Sequence, residues 1–187
     1  MTVKALTIVG NDLRLKILTD ANTDIVHRYF QENQQHLSPW EPKRSADFYS
    51  EEVIHQRLWH AQRDAEQGVA YQFGIINGTG TEMLGACNFS NIARGPFQAC
   101  HLGYSIAACH QGKGIMTLAL TTALDYMLVE LDLHRVMAAY IPTNARSEKL
   151  LLRLGFEKEG YAKSYLKIAG RWQDHVLTSL INPRHAE

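Results

Sequence analysis

The glycine-rich segment at residues 111–116 is where residue type and spacing most clearly predict chemistry. It comprises Gln111, Gly112, Lys113, Gly114, Ile115 and Met116, and it lies between a predicted strand and a strongly apolar predicted helix. The free N–H groups and the dipole of a helix N-terminus attract an anion, and glycines let that anion approach the main chain. The segment therefore predicts a site for a phosphate-bearing ligand.

Two common phosphate-binding patterns do not fit this segment. A P-loop would need Gly where Ala107 stands and Ser or Thr where Gly114 stands. A dinucleotide fingerprint would place its third glycine at Thr117, and the next predicted strand ends near Tyr140 without the acidic ribose ligand. The segment then serves another phosphate-bearing ligand, or it is a plain glycine turn before a helix.

The elements that must position this segment follow from the spacing of apolar residues. Alternation predicts a strand at 99–107, and helical spacing predicts a helix at 115–131. The other expected strands are 7–9, 13–17, 69–76, 82–90, 135–140, 160–168 and 173–181, with a turn at 10–12; the other helices begin at Thr23, Ser50 and Thr143, and a proline-containing loop spans 35–45. This irregular alternation predicts the α/β (α+β) class, a mixed central sheet with helices on both faces.

Length and composition favour one domain over residues 1–187 and exclude several functions. The 187 residues carry 19 Lys plus Arg and 19 Asp plus Glu, so no global charge favours nucleic acid or anionic membrane. Three cysteines without a CxxC pair fit a reducing, cytoplasmic compartment, and no apolar run predicts a signal peptide or a membrane span. The histidines show no zinc spacing, so we expect no metal.

The glycine-rich segment resembles the Gln/Arg-x-x-Gly-x-Gly/Ala pattern of the GNAT acetyltransferases, with Met116 in place of the family's small residue. Further matching segments are 102–106, Asn144-x-x-Ser147 and 154–161, and they spread the resemblance over nearly the whole chain. Residues 36–42, 111–116 and 155–163 are most similar to the RimJ/RimL branch, which acetylates ribosomal-protein N-termini. The resemblance implies the GNAT fold, with about six to seven strands.

The resemblance also implies acetyl-CoA as cosubstrate. Its pantetheine arm is expected to pair with the main chain of Ile106, Ala107 and Ala108, because a splayed strand leaves N–H and C=O groups without partners. The amides of 111–116 are then expected to hold the pyrophosphate. Lys113 adds a cation there, or is simply a solvated surface lysine.

Two residues after the next strand match the family's site. Asn144 is expected to contact the pantetheine, or else only to cap its helix, for which Asn is well suited. Ser147 lies one turn further on, and its hydroxyl is expected to protonate the departing CoA thiolate. The alternative for Ser147 is a local hydrogen bond in the first turn of the helix.

The other expected site residues lie on the acceptor side. His101 stands where relatives often place Glu, and histidine titrates near neutral pH, so it is a candidate general base; a histidine packed on the sheet is the alternative. Positioning alone can suffice, since an α-amino group has a pKa of about 7.7 to 8.0 against about 10.4 for lysine. Trp40 and Glu41 are expected to meet the acceptor, although Trp40 also fits a loop anchor in the core.

The resemblance implies an N-acetyltransferase acting on the N-terminal amine of a ribosomal protein. Within the branch the sequence is most similar to the RimJ type, whose acceptor is the N-terminal alanine of small-subunit ribosomal protein five. The expected partners are a ribosomal-protein tail and, in addition, the assembling small subunit. Two alternatives stay open: a GNAT acetylating a small amine such as an antibiotic, polyamine or amino acid, and a non-catalytic CoA-binding or ribosome-assembly module.

Overall fold

The computed structural model describes residues 6–8 and 12–185, in which eight strands form one mixed sheet of order β1-β2-β3-β4-β5-β6-β8-β7. The predicted turn over Gly10 and Asn11 lies outside the described residues. The strands are β1 (Leu6–Ile8), β2 (Leu13–Ile17), β3 (Tyr71–Asn77), β4 (Met83–Ala93), β5 (Ala99–Ile106), β6 (Arg135–Tyr140), β7 (Glu157–Ile168) and β8 (Arg171–Ile181). The helices are α1 (Thr23–Leu37), α2 (Glu51–Gln67), α3 (Ile115–Asp125) and α4 (Ala145–Arg153). The predicted class is confirmed, with one strand more than the upper number expected.

Helix α2 begins and ends where the sequence predicts. The hydroxyl of Ser50 accepts the N–H of Val53, and two glutamates in the first turn favour the positive end of the helix dipole. Gly68 ends the helix with φ of 70°, a conformation that costs glycine little. The predicted bounds of this helix are close to the observed ones because the residues that favour its start and its end stand where the structure has them.

Helix α1 is longer than predicted and continues into the segment expected to be a loop. Its buried stripe runs Val26, Tyr29, Asn33 and Leu37, at spacings of three and four residues. Leu37 is the last of these side chains, and its burial stabilises one more turn of helix. The loop proper therefore begins at Ser38 and runs to a short 3-10 turn at Ala46–Tyr49.

The two faces of the sheet carry separate apolar clusters. Helix α3 packs on one face, where Met116 and Leu120 join Phe89 and Leu102 in the larger cluster. Helices α1 and α2 contribute the smaller cluster, which includes Tyr29 and Leu58. Helix α3 ends in a π-helical turn at Tyr126–Glu130 instead of continuing as a regular helix to residue 131.

Strands β5 and β6 run parallel but pair over only four residues, from Ala99 with Arg135 to Leu102 with Ala138. Further along, Gly103–Ile106 pairs with β4 alone in the described structure, while β6 continues along β8. The two strands therefore splay apart and open a gap in the middle of the sheet. This gap positions the candidate site.

Candidate active site

The edge of β5 that faces the gap carries main-chain groups suited to pairing with an amide-bearing arm. The N–H of Ala107 donates to the carbonyl of Leu84 on β4, at 2.8 Å. Consecutive N–H groups of a strand point to opposite edges, so the main chain of Ile106 points into the gap. The expected pantetheine pairing is therefore geometrically available at Ile106.

The same pairing is less available at Ala107 and Ala108, because their main-chain groups already have partners inside the protein. The carbonyl of Ala107 accepts the N–H of His110 at 3.0 Å. The N–H of Ala108 donates to Oδ1 of Asn33 on α1 at 2.9 Å, and its carbonyl accepts the N–H of Gln111. The geometry thus favours Ile106 among the three residues expected to meet the arm.

The glycine-rich segment forms an open loop at the N-terminus of α3. Gly112 and Gly114 have φ of 74° and 75°, and an added Cβ at either position would meet nothing within 4 Å. No described side chain caps the helix, and the first helical bond runs from the N–H of Leu118 to the carbonyl of Gly114. The N–H groups of the first turn are therefore available to an anion.

Met116 does not obstruct this loop, although it replaces a small family residue. Its side chain is 7% exposed and lies in the core, with its sulfur 3.9 Å from Sγ of Cys87. The side chain thus points away from solvent, and the Met116 amide stays among the free donors of the first turn.

Gln111 connects the loop to the helices on both sides of it. Its side-chain nitrogen lies 3.0 Å from Nε2 of His36 on α1, and its side-chain oxygen accepts a hydrogen bond from Arg146 at the start of α4. Arg146 is exposed, as is Lys113. Arg146 is not among the site residues predicted from the sequence, where its only signal is its position between Asn144 and Ser147. Two cations from different elements therefore lie beside the loop.

Asn144 and Ser147 lie on the same helix turn, as predicted. Oδ1 of Asn144 accepts the N–H of Ser147 at 3.1 Å, so this oxygen caps helix α4, as in the alternative prediction for Asn144. The hydroxyl of Ser147 does not make the local hydrogen bond given as the alternative; it lies 2.5 Å from the hydroxyl of Tyr104 on the splayed part of β5. Burial raises the pKa of Tyr104 to about 12, so its phenol stays protonated at neutral pH.

His101 lies near the vertex of the gap but on the other face of the sheet. In register it stands between Ser90 and Met137, two residues before Gly103, where the splay begins. Alternation along β5 places its side chain opposite that of Tyr104, about 10 Å further along the strand. Its Nδ1 atom is buried without a hydrogen-bond partner among the described residues. The structure does not bring His101 and Ser147 together on one face.

The acceptor side is bounded by a closed chain of contacts that we name the acceptor ring. Helix α1 is joined to β5 by the hydroxyls of Tyr29 and Ser105, 2.9 Å apart. The loop after α1 is joined to the β7–β8 hairpin, where the N–H of Ala169 donates to the carbonyl of Glu41 at 2.9 Å. The ring consists of these four residues together with helix α1 and strands β5, β6 and β8, which are neighbours in the sheet.

Trp40 and Glu41 both lie in the loop that completes this ring. Trp40 is 43% exposed, which does not fit the core-anchor alternative. Glu41 is half-buried, and burial raises the pKa of its carboxyl while Arg44 and Arg57 oppose that shift. Both residues thus remain candidates for contact with an acceptor.

Two further features of the described residues bear on the kind of site. Residues 6–8 and 12–185 contain no group of three His, Cys, Asp or Glu side chains placed to hold a metal ion. Within the same ranges no helix is long and apolar enough to cross a membrane.

Comparison with known proteins gives concordant matches over most of the chain. The family model of the acetyltransferase (GNAT) domain matches residues 12–157. The [ribosomal protein uS5]-alanine N-acetyltransferase of Escherichia coli (strain K12) is 44% identical over 181 residues, 97% of this chain and 93% of that protein. The crystal structure of the ribosomal-protein-S5-alanine acetyltransferase from Vibrio fischeri is 39% identical with a TM-score of 0.93, covering 99% of this chain and 100% of that one. Mycobacterium smegmatis RimJ in complex with CoA-disulfide is 27% identical with a TM-score of 0.88, covering 99% and 89%.

Proposed function

The chain belongs to the GNAT acetyltransferase family, and on that premise we propose that it transfers the acetyl group of acetyl-CoA to the N-terminal α-amine of a ribosomal protein. The acceptor we assign is the N-terminal alanine of small-subunit protein uS5. Similarity along 97% of the chain to the Escherichia coli enzyme named for that acceptor supports the assignment. The expected contact with the assembling small subunit stays a prediction.

The observation that carries the proposed chemistry is the gap between β5 and β6. Main-chain groups of Ile106 face it, the free amides at the start of α3 lie at one end, and the Ser147–Tyr104 pair lies along it. An extended arm that ends in a diphosphate fits this order of donors. We therefore assign Ile106 to the pantetheine, the 111–116 amides and Lys113 to the pyrophosphate, and Asn144 to the arm, with Ala107 and Ala108 lining it.

Acetyl transfer requires that one proton leave the amine and one reach the leaving thiolate. Acetyl-CoA supplies its acyl group as a thioester, so a bond forms between the amine nitrogen and the acyl carbon as the carbon–sulfur bond breaks. Ser147 donates the proton to the thiolate and is reprotonated from solvent. Tyr104, kept protonated by burial, holds the Ser147 hydroxyl in place through their contact. His101 accepts the amine's proton, directly or through water.

The acceptor ring and the acidity of the amine both favour a chain end over an internal amine. The bond between Ala169 and Glu41 joins the loop after α1 to the β7–β8 hairpin across the proposed acceptor side, which suits a slender chain end. An α-amine also has a larger neutral fraction near pH 7 than lysine, and the neutral form is the nucleophile. Trp40 and Glu41 at the ring are assigned to the acceptor's first residues.

An acceptor comparison tests this proposal. The protein is incubated with acetyl-CoA and one of three acceptors: an Ala-starting peptide of the uS5 tail, the same peptide with a blocked N-terminus, or a panel of small amines. We expect a gain of about 42 Da on the free N-terminus only, the mass of one acetyl group. Turnover confined to small amines would identify a small-molecule acetyltransferase, and CoA binding without any turnover would identify a non-catalytic module.

A further inference from the structure

A basic cavity adjoins the acceptor ring at Ala169, which belongs to both. Its volume is about 490 Å³, and it is lined by the end of α1, the loop after it and the tip of the β7–β8 hairpin; the lining residues used below are Lys43, Arg44, Tyr49 and Ala169. Neither Lys43 nor Arg44 forms an ion pair within 4.0 Å among the described residues. Within the described residues the cavity therefore holds two cations outside any close ion pair, and Arg44 also acts electrostatically on Glu41.

Both cations are held by packing of their own. The guanidinium of Arg44 lies 4.4 Å above the ring of Phe48, which fixes its plane. The Cδ atom of Lys43 is 3.9 Å from the point where a Cβ on Gly170 would stand, so the aliphatic part of the lysine side chain lies along the hairpin tip. Preorganised cations lose less conformational entropy when an anion binds.

A carboxylate occupies the inner side of the same loop. Glu41 is half-buried and, like the two cations, forms no ion pair within 4.0 Å in the described structure. Burial first, and then the Glu41 charge, raise the pKa of Tyr49, while Arg44 and Arg57 act to lower it. The charge also acts on Tyr29, whose hydroxyl contacts Ser105 on β5. The Glu41 charge thus acts toward the reaction gap, while Lys43 and Arg44 line the cavity.

We propose that Lys43 and Arg44 bind an acidic side chain of the acceptor tail, while Glu41 faces the α-ammonium group that enters first. This inference rests on the proposed function and specifies its substrate class: N-terminal tails with an acidic residue shortly after the amine. Such a tail suits the site better than a basic one, because lysines shortly after the amine would meet Lys43 and Arg44.

The distance along the loop limits where the acidic residue stands. Glu41 and Arg44 are three residues apart, which is at most about 11 Å of chain. An extended acceptor advances about 3.3 Å per residue. The acidic side chain therefore belongs within the first four residues of the acceptor.

The test uses sets of three Ala-starting peptides that are otherwise neutral. The three peptides of a set differ only in one residue, Glu, Gln or Lys, and one set is made for each of positions two, three and four. We expect kcat/KM for the best Glu peptide to exceed that of its Gln counterpart about fivefold, through KM, and the Lys peptide to be poorer still. In Lys43→Met and Arg44→Met this Glu-to-Gln ratio falls toward one. Lys43→Glu reverses the preference.

Controls separate the possible outcomes. Lys16→Met, on the exposed side of β2, should keep the preference of the unmodified protein, and calorimetric CoA binding verifies that each variant is folded. Equal turnover of all three peptides, or a preference unchanged by Lys43→Met and Arg44→Met, overturns this inference and leaves the proposed function intact. Failure to acetylate any of the peptides, with CoA still bound, overturns both.

Discussion

The hydroxyl of Tyr104 lies 2.5 Å from the hydroxyl of Ser147, although the two residues are 43 positions apart in the chain. Tyr104 belongs to the splayed part of β5, and Ser147 lies in the first turn of α4. The short contact joins the two elements that border the gap. It gives Ser147 a protonated neighbour instead of the local first-turn hydrogen bond that is the alternative prediction for this residue.

Ser147→Ala should lower kcat far more than it changes the affinity for acetyl-CoA. Loss of a proton donor costs about 100-fold or more in rate, whereas the hydroxyl contributes little to holding the cosubstrate. Tyr104→Phe keeps the ring and should give a smaller fall in kcat. Steady-state kinetics with calorimetric CoA binding checks both, and Thr121→Ala on α3 serves as control. A Ser147→Ala enzyme with undiminished kcat would remove the proposed acid.

Gly114→Ala should weaken CoA binding by at least about tenfold, because a residue with a Cβ leaves the positive-φ conformation and displaces the amides that hold the diphosphate. Gly80→Ala is the matched control, since Gly80 has φ of 78° and equally open space but lies in the β3–β4 turn. Each variant should lose about 1 to 2 kcal/mol of unfolding free energy. Equal CoA affinity of the two variants would place the diphosphate elsewhere.

His101→Gln should lower kcat/KM by about tenfold or more if this side chain accepts the amine's proton. Relatives often carry Glu here, so His101→Glu should recover part of the lost rate while His101→Gln does not. The pH profiles of the two variants against the unmodified enzyme provide the measurement. Identical rates and profiles for all three proteins would show that positioning alone drives proton loss.

Glu41→Gln should become more stable relative to the unmodified protein as the pH rises. Burial raises the pKa of the Glu41 carboxyl above its ordinary value of 4.5, so the folded state binds this proton more tightly than the unfolded chain does. Stability is then lost as the pH rises from 4.5 through the raised pKa, and the amide removes that loss. Urea unfolding at pH 4 and pH 8 measures the difference, with Glu32→Gln as control. A pH-independent difference would contradict the prediction.

The sequence predicts most elements closely because their local signals agree with the final packing. The cap at Ser50, the glycine at 68 and the alternation along β5 each match the structure. The exceptions depend on distant partners. Helix α1 runs on to Leu37 because the smaller core cluster buries that side chain.

The candidate site likewise has parts that local sequence patterns predict and parts that depend on distant contacts. The glycine loop and the Asn144–Ser147 spacing are local patterns, and the structure places both beside the gap. The contact of Ser147 with Tyr104 depends on how α4 packs against β5, which no spacing within either element encodes. The hydrogen bond from the N–H of Ala108 to the side chain of Asn33 likewise joins residues 75 positions apart.

The bond between Ala169 and Glu41 has a consequence for timing. On the proposed function, the acceptor passes inside this closed chain of contacts, which a free end can do and a segment fixed on both sides cannot. Acetylation would then be confined to the interval between emergence of the acceptor's first residues and their capture elsewhere. The extent of modification would report how long a tail stays free as much as how tightly it binds.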